Sequence, residues 1–366
     1  LAAPSLVLSD LAVSALEETA LRHWRWGLAG AFLLATSQGQ AATADLLKPW
    51  PNGEKLRGIV AEPVTFPSHS PFTLTDVGGG PEVDPPTEAV GTLYLPAGID
   101  APVPAVILLH GASGVRSARE RTYGRQLAAM GVAALVIDAF APRRDMGRGF
   151  IERILNITES MLIADAYAGL RYLAVRPEVD GGRVVMMGFS YGGMASVIAA
   201  YEQVAALFAP GGSRFVGHVS YYGPCIARFE RPGTTGAPVL MLFGDDDAII
   251  NADRCAEIVA DLERGGSEAL MIVYPGARHQ WDGNRTVPWR APRHLADCAV
   301  TVDADGDVHD KRTHLPMIGP VTRRIILGLC SDDDGYLVAR DDAVRIRSNH
   351  DLGAFLQPLL APRQGS

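Results

Sequence analysis

The chain has 366 residues, 48% of them hydrophobic, and a formal net charge of −8. That is enough apolar material for one large α/β core or two modest ones. With no Lys/Arg run and no alternation of basic and aromatic residues, nucleic acid and anionic membrane are excluded as partners, and a small uncharged substrate is expected.

RHWRW (22–26), the apolar GLAGAFLLA and the small residues AATA (41–44) form the three parts of a secretory signal peptide, assigned to residues 21–44. Glu17 and Glu18 suit no signal, and the first methionine is Met130, so residues 1–20 are expected to lie upstream of a native start near Leu21. No later run approaches the roughly 20 apolar residues of a membrane span. The mature protein is therefore expected to be periplasmic or secreted, beginning near Asp45 as a single domain over 45–366.

Residues 45–87 read as an extended lead-in with a strand or two. Strands and helices then alternate: AVGTLYLP, PAVILLH, a helix in SARERTYGRQLAAM, GVAALVID, and a long helix through SMLIADAYAGLRYLAV. VVMMGF follows as a strand and MASVIAAYEQVAALF as one helix. FVGHVSYY, APVLMLF and ALMIVYP continue the strands, with a helix over NADRCAEIVADLERGG capped by Asn251 and stopped at Gly265. The pattern predicts a mostly parallel sheet with helices on both faces, and ligands beyond the carboxyl ends of its strands. Residues 284–348 interrupt it as an insertion with a hairpin turning at Asp305 and Gly306, before a last helix near LGAFLQPLL. Asp303, Asp305 and Asp307 mimic a calcium loop, but Val308 and His314 stand where glycine and glutamate are required, so no metal is expected, and no cofactor.

The chemistry gathers at strand ends. Gly188, Ser190 and Gly192 spell G-x-S-x-G between a strand and a helix, a turn that thrusts the serine hydroxyl outward. A serine needs a base and an acid to orient that base. Asp245, Asp246 and Asp247 follow VLMLFG, and His279 follows ALMIVYPGAR, giving the order Ser, Asp, His; any of the three aspartates could turn inward. His294, His309, His314 and His350 read as surface histidines. After PAVILLH, the loop HGASG brings backbone amides near a ligand, and the amides of Tyr191 and Ala112 are the expected oxyanion donors. His110 reads as a packed loop residue. Arg143, Arg144, Tyr222 and Trp281 follow strand ends and are candidates for the substrate pocket.

HGASG, VIDAFAPR, DAYAGLRYLA, GFSYGG, GDDD and YPGARH together resemble the α/β-hydrolase superfamily, in its dienelactone hydrolase-like branch, over residues 88–283 and the last helix. The resemblance implies the α/β-hydrolase fold, a carboxylic-ester hydrolase, and Asp247 as the acid beside Ser190 and His279. True dienelactone hydrolases carry cysteine at the position of Ser190. Dienelactone or lactone hydrolysis, a prolyl-oligopeptidase-type peptidase (whose propeller has no room before residue 88) and a catalytically silent binding protein are the alternatives. Four cysteines in an exported chain permit disulfides. Cys225 and Cys255 belong at the carboxyl edge of neighbouring strands and are expected to pair, leaving Cys298 and Cys330 to close the insertion.

Overall fold

The computed structural model describes residues 45–362. The signal segment 21–44 and the proposed upstream residues 1–20 lie outside them. Two long strands, β1 (Val60–His69) and β2 (Pro86–Leu95), alternate exposed and covered residues and pair antiparallel at one edge. The apolar runs that follow are buried on both faces, the condition for strands inside a parallel sheet. These are β3 (Val103–Leu109), β4 (Ala133–Ile137), β5 (Val179–Phe189) and β6 (Gly217–Tyr221). After the short β7 (Ala227–Phe229), β8 (Val239–Gly244) and β9 (Ala269–Tyr274) complete the sheet. Its eight strands run in the order β1-β2-β4-β3-β5-β6-β8-β9, parallel from β4 onward.

The connections are helices α1 (Glu120–Ala129), α2 (Phe150–Asn156), α3 (Glu159–Ala174), α4 (Tyr191–Ile198), α5 (Glu202–Phe208) and α6 (Ala252–Arg264). The Asn251 side chain caps α6 by accepting from the Arg254 amide at 3.0 Å. The single helix expected after Ser190 is instead two. Tyr201 leaves the helix to form a β-bridge with Thr234 and stacks on Phe229, ring centroids 4.1 Å apart, so a tertiary contact overrides the helical periodicity.

The segment after residue 284 builds β10 (Trp289–Ala291), the hairpin β11 (Val300–Val302) and β12 (Val308–Asp310), then α7 (Pro320–Cys330) and β13 (Tyr336–Val338). The hairpin turns at Asp303–Gly306 as expected, and Asp303 Oδ1 accepts the amides of Asp305 and Asp307 at 2.9 Å. The last helix, α8 (Asp342–Leu360), begins well before LGAFLQPLL, so the expected boundary at 348 falls inside it. The insertion is tied to the sheet layer through β11, which pairs parallel with β7, and through Arg254, whose Nη1 donates to the carbonyls of Ala296 (2.9 Å) and Cys298 (2.6 Å). The disulfides are Cys225–Cys255 and Cys298–Cys330, the pairing expected from topology, with Cα separations of 5.2 and 4.9 Å. No described helix is long and apolar enough to cross a membrane.

Candidate active site

Ser190 stands between β5 and α4 with φ 52° and ψ −113°, a backbone that side-chain-bearing residues rarely adopt. The turn is held by its neighbours. A Cβ on Gly188 would fall 2.0 Å from the Gly192 carbonyl oxygen, and one on Gly192 would fall 2.6 Å from that of Leu109, so both glycines are required by close packing. The Ser190 amide donates to the Tyr221 carbonyl at 2.8 Å, fastening the strained corner to β6.

Two further strand ends converge on the hydroxyl. His279, after β9, lies with Nε2 3.0 Å from Ser190 Oγ and Nδ1 2.7 Å from Asp247 Oδ2, after β8. Among the three aspartates, Asp247 alone turns inward, its Oδ1 accepting the Ile249 amide at 3.1 Å. Asp246 pairs with Arg278 at the surface, and Asp245 accepts the Gly276 amide. The His279 ring is held edge-on between Tyr222 and Tyr336, with centroids 4.8 and 5.2 Å away. Its backbone is bonded on both sides to β13, donating to the Leu337 carbonyl (3.1 Å) and accepting from the Ala339 amide (3.2 Å). Sequence reading missed Tyr336, which belongs to no motif. Burial first, and then the Asp247 charge, push its hydroxyl up to about 12, so it stays neutral.

The HGASG loop lies against the elbow: a Cβ on Gly111 would sit 3.2 Å from both Ser190 Cβ and the Phe189 oxygen. Among the described residues the Ala112 and Tyr191 amides have no protein acceptor, and both residues border the cavity beside Ser190. The Tyr191 hydroxyl lies 2.9 Å from both the Ile157 carbonyl and Glu159, and accepts from Arg323 Nη2 at 3.2 Å. Burial raises the Glu159 pKa, but the charge of Arg323, which chelates its carboxylate at 3.1 and 2.9 Å, outweighs that and holds it below the usual carboxylate range. Arg323 comes from α7, so the insertion reaches Tyr191, the residue next to Ser190. His110 has no free ring nitrogen: Nδ1 donates to the Gly111 carbonyl and Nε2 accepts from the Ala139 amide, and burial lowers its pKa.

Residues 90–287, more than half of the chain, match the model of the dienelactone hydrolase family. The chain belongs to that family. It is a carboxylic-ester hydrolase. A probable 2-oxo-3-(5-oxofuran-2-ylidene)propanoate lactonase of Bradyrhizobium sp. is 25% identical to it over 185 residues, 48% of this chain and 73% of the relative. An uncharacterized protein of Mycobacterium tuberculosis is 28% identical over 202 residues, 52% of this chain and 68% of the relative. Among solved structures, a dienelactone hydrolase-like promiscuous phosphotriesterase from metagenomic libraries aligns with a TM-score of 0.48 at 19% identity, covering 83% of this chain and 100% of its own. A putative dienelactone hydrolase from Klebsiella pneumoniae aligns with a TM-score of 0.43 at 19% identity, covering 60% of this chain and 88% of its own.

None of the four residues expected as pocket candidates lines the space beside Ser190: Arg144 is exposed and borders neither the cavity nor the cleft described below, and the other three are buried. Arg143 is 2% exposed, chelates Asp165 at 2.6 and 3.0 Å, and donates to Ser70 Oγ and the carbonyls of Ala139 and His69. Trp281 is fully buried, with its indole donating to Ser348 Oγ at 3.1 Å. Tyr222 lies behind His279 and donates to Asp282 Oδ1 at 2.6 Å. Arg143, Tyr222 and Trp281 follow strand ends, but the loop backbone, with φ +41° at Tyr222 itself, turns their side chains back into the core.

What borders Ser190 is a divided space. A narrow cavity of about 100 Å³ is lined mostly by apolar side chains, among them Met194, Ile226, Leu295, Val300, Met317 and Leu327, with Glu159, Arg293 and Arg323 also on its wall. A broad cleft of about 770 Å³ adjoins it across Ser113, Gln280 and Tyr336, and carries Arg116, Arg119, Arg285 and Arg293. The cleft is therefore basic although the chain as a whole carries a net charge of −8, because arginines from separate loops meet there. His294, read from sequence as a surface residue, borders the narrow cavity.

Proposed function

We propose that this protein is an exported serine esterase that works through an acyl-enzyme on Ser190, with His279 as base and Asp247 as its orienting acid. The observation that carries the reading is the unbroken line Ser190 Oγ, His279, Asp247 at 3.0 and 2.7 Å. The hydroxyl attacks the ester carbonyl carbon and its proton passes to His279 Nε2. The carbonyl electron pair moves to oxygen, where the Tyr191 and Ala112 amides are suited to receive it. Collapse re-forms the carbonyl and breaks the bond to the alkoxide, which takes the proton from His279. Water then repeats the sequence on the acyl-enzyme, releasing the acid and restoring Ser190.

The volume and lining of the narrow cavity favour a small uncharged acyl group. Export is supported by the signal-like pattern of residues 22–44 and by two disulfides, which persist in oxidising compartments. A fluorophosphonate probe should label wild-type protein at Ser190 and leave Ser190→Ala unlabelled. Short-chain p-nitrophenyl esters should turn over faster than long-chain ones and than the matching anilides. Absence of labelling, or a preference for amides, would overturn the reading.

A further inference from the structure

Arg323 stands in the first turn of α7, outside the span 90–287 that carries the family match, yet its side chain ends beside the elbow. It is 4% exposed, and its five N–H groups are matched by five acceptor atoms. Nε donates to the Ile154 carbonyl of α2 at 3.1 Å. Nη1 and Nη2 chelate Glu159, the first residue of α3, at 3.1 and 2.9 Å, and Nη1 also lies 3.5 Å from Met317 Sδ. Nη2 donates in addition to the hydroxyl of Tyr191, the first residue of α4, at 3.2 Å. An arginine so engaged has no N–H left to hold substrate charge, although it lies on the wall of the narrow cavity. What it joins are three helices of the core.

The elbow is thereby fastened at two successive residues. Ser190, with φ 52°, is held through its own amide on the Tyr221 carbonyl at 2.8 Å. Tyr191 is held through its side chain, whose hydroxyl lies 2.9 Å from both the Ile157 carbonyl and Glu159 Oε2 and accepts from Arg323. A strained backbone persists only where its surroundings over-determine it, and here the second fastening depends on the insertion. The ion pair is a poor source of fold stability, because taking both charges out of water offsets their attraction. What a forked guanidinium supplies is direction: carboxylate and hydroxyl are fixed relative to each other by one rigid plane.

We propose, on the reading of Ser190 as nucleophile and the Tyr191 amide as oxyanion donor, that Arg323 is a positioning residue for hydrolysis. Through Glu159 and the Tyr191 hydroxyl it holds the Tyr191 amide where negative charge develops, so the insertion governs the rate of turnover as well as the walls of the cavity. Displacing such a group by about 1 Å costs on the order of 10²-fold in rate, and the loss falls on the transition state rather than on the bound ester.

Two variants and one inhibitor separate these effects. Arg323→Met/Glu159→Gln removes both charges and strands no buried ion, while Tyr191→Phe removes only the hydroxyl. With active sites counted by fluorophosphonate labelling, kcat on p-nitrophenyl butyrate should fall about 10- to 100-fold in the first and about fivefold in the second, with KM within about twofold of wild type. Arg323→Lys, which keeps the charge and loses the fork, should lie between the double variant and wild type. The inhibitor is a trifluoromethyl ketone with a propyl chain: Ser190 Oγ bonds to its carbonyl carbon, the serine proton passes to His279 and the carbonyl electron pair becomes the oxyanion. Its inhibition constant should rise in each variant by the factor that kcat/KM falls. An unchanged kcat, a change confined to KM, or a loss of kcat with ketone affinity unmoved would each overturn this inference and leave the esterase reading standing; should the double variant not fold, Tyr191→Phe decides alone. No labelling of wild-type Ser190 and no turnover would overturn both.

Discussion

Ser190, Asp247 and His279 leave the ends of strands 11, 6 and 6 residues long, whereas the insertion that surrounds them contributes four strands of only three residues each. The long strands share ladders of parallel hydrogen bonds, so the loops after them inherit fixed positions. The insertion is held by a disulfide within itself, a β11–β7 pairing, the Arg254 clamp, and isolated contacts to His279 and Tyr191. On the proposed function, chemistry is entrusted to the rigid part, and the walls of the substrate space to a part with little core of its own. Side chains in the second part can change without moving the first, which is how a family core acquires a new substrate range.

The largest effects belong to the rigid part. His279→Ala should lower kcat by about 10⁴ to 10⁶-fold, and Asp247→Asn by about 10² to 10⁴-fold, measured on a short-chain ester. Asp245→Asn and Asp246→Asn should each cost less than about tenfold; a steeper loss at Asp246 would show that the acid loop turns by one residue in solution.

The crosslink of the insertion comes next. Replacing Cys298 and Cys330 by serine should lower unfolding free energy by about 2–4 kcal/mol. Hydrogen exchange should rise first across 289–338. Equal rises in β5 and β8 would erase the contrast between the two regions.

The sheet carries a pH dependence of its own. His218, in β6, is fully buried, and burial holds its pKa down at about 4, against about 6.5 when exposed. Between these values the unfolded chain binds more protons than the folded one. Stability is therefore intact above about pH 6.5 and falls as pH drops toward 4, by roughly 2–3 kcal/mol from this group. Denaturant titrations at pH 7 and pH 4.5 read the difference, and His218→Leu should flatten it.

A smaller effect is expected where the two regions meet. Tyr336→Ala removes one of the two ring edges that hold His279, and should reduce kcat by about tenfold; Tyr336→Phe, which keeps the ring, should lose less. A change confined to KM would mean that Tyr336 serves only the substrate wall.

Much of the rigid part is legible in the sequence alone. Buried parallel strands read as continuous apolar runs, and the glycines around Ser190 mark a corner where backbones touch. The insertion is legible only in its hairpin and its cysteines. Its helix α7 escapes a reading by periodicity, although Arg323, Ile326, Leu327 and Cys330 make an inward face, because Val321, Ile325 and Leu329 leave the outer face apolar as well and blur the pattern. Tyr336 carries no signal, since its role exists only through a strand bridged to His279 from a distant part of the chain.

The residue order by itself determined the alternation of strands and helices and the strand-turn-helix setting of Ser190, which rest on contacts within a few residues, and it put Asp245 to Asp247 and then His279 just after later strands. Tertiary structure decided which aspartate turns inward, why Arg143, Tyr222 and Trp281 fold back from the pocket, and how four arginines from distant loops come to share one cleft. Side-chain direction beyond a strand end follows from the loop backbone, such as φ +60° at Gln280, and from whatever element packs against it. Neither is written in the local pattern of apolar and polar residues.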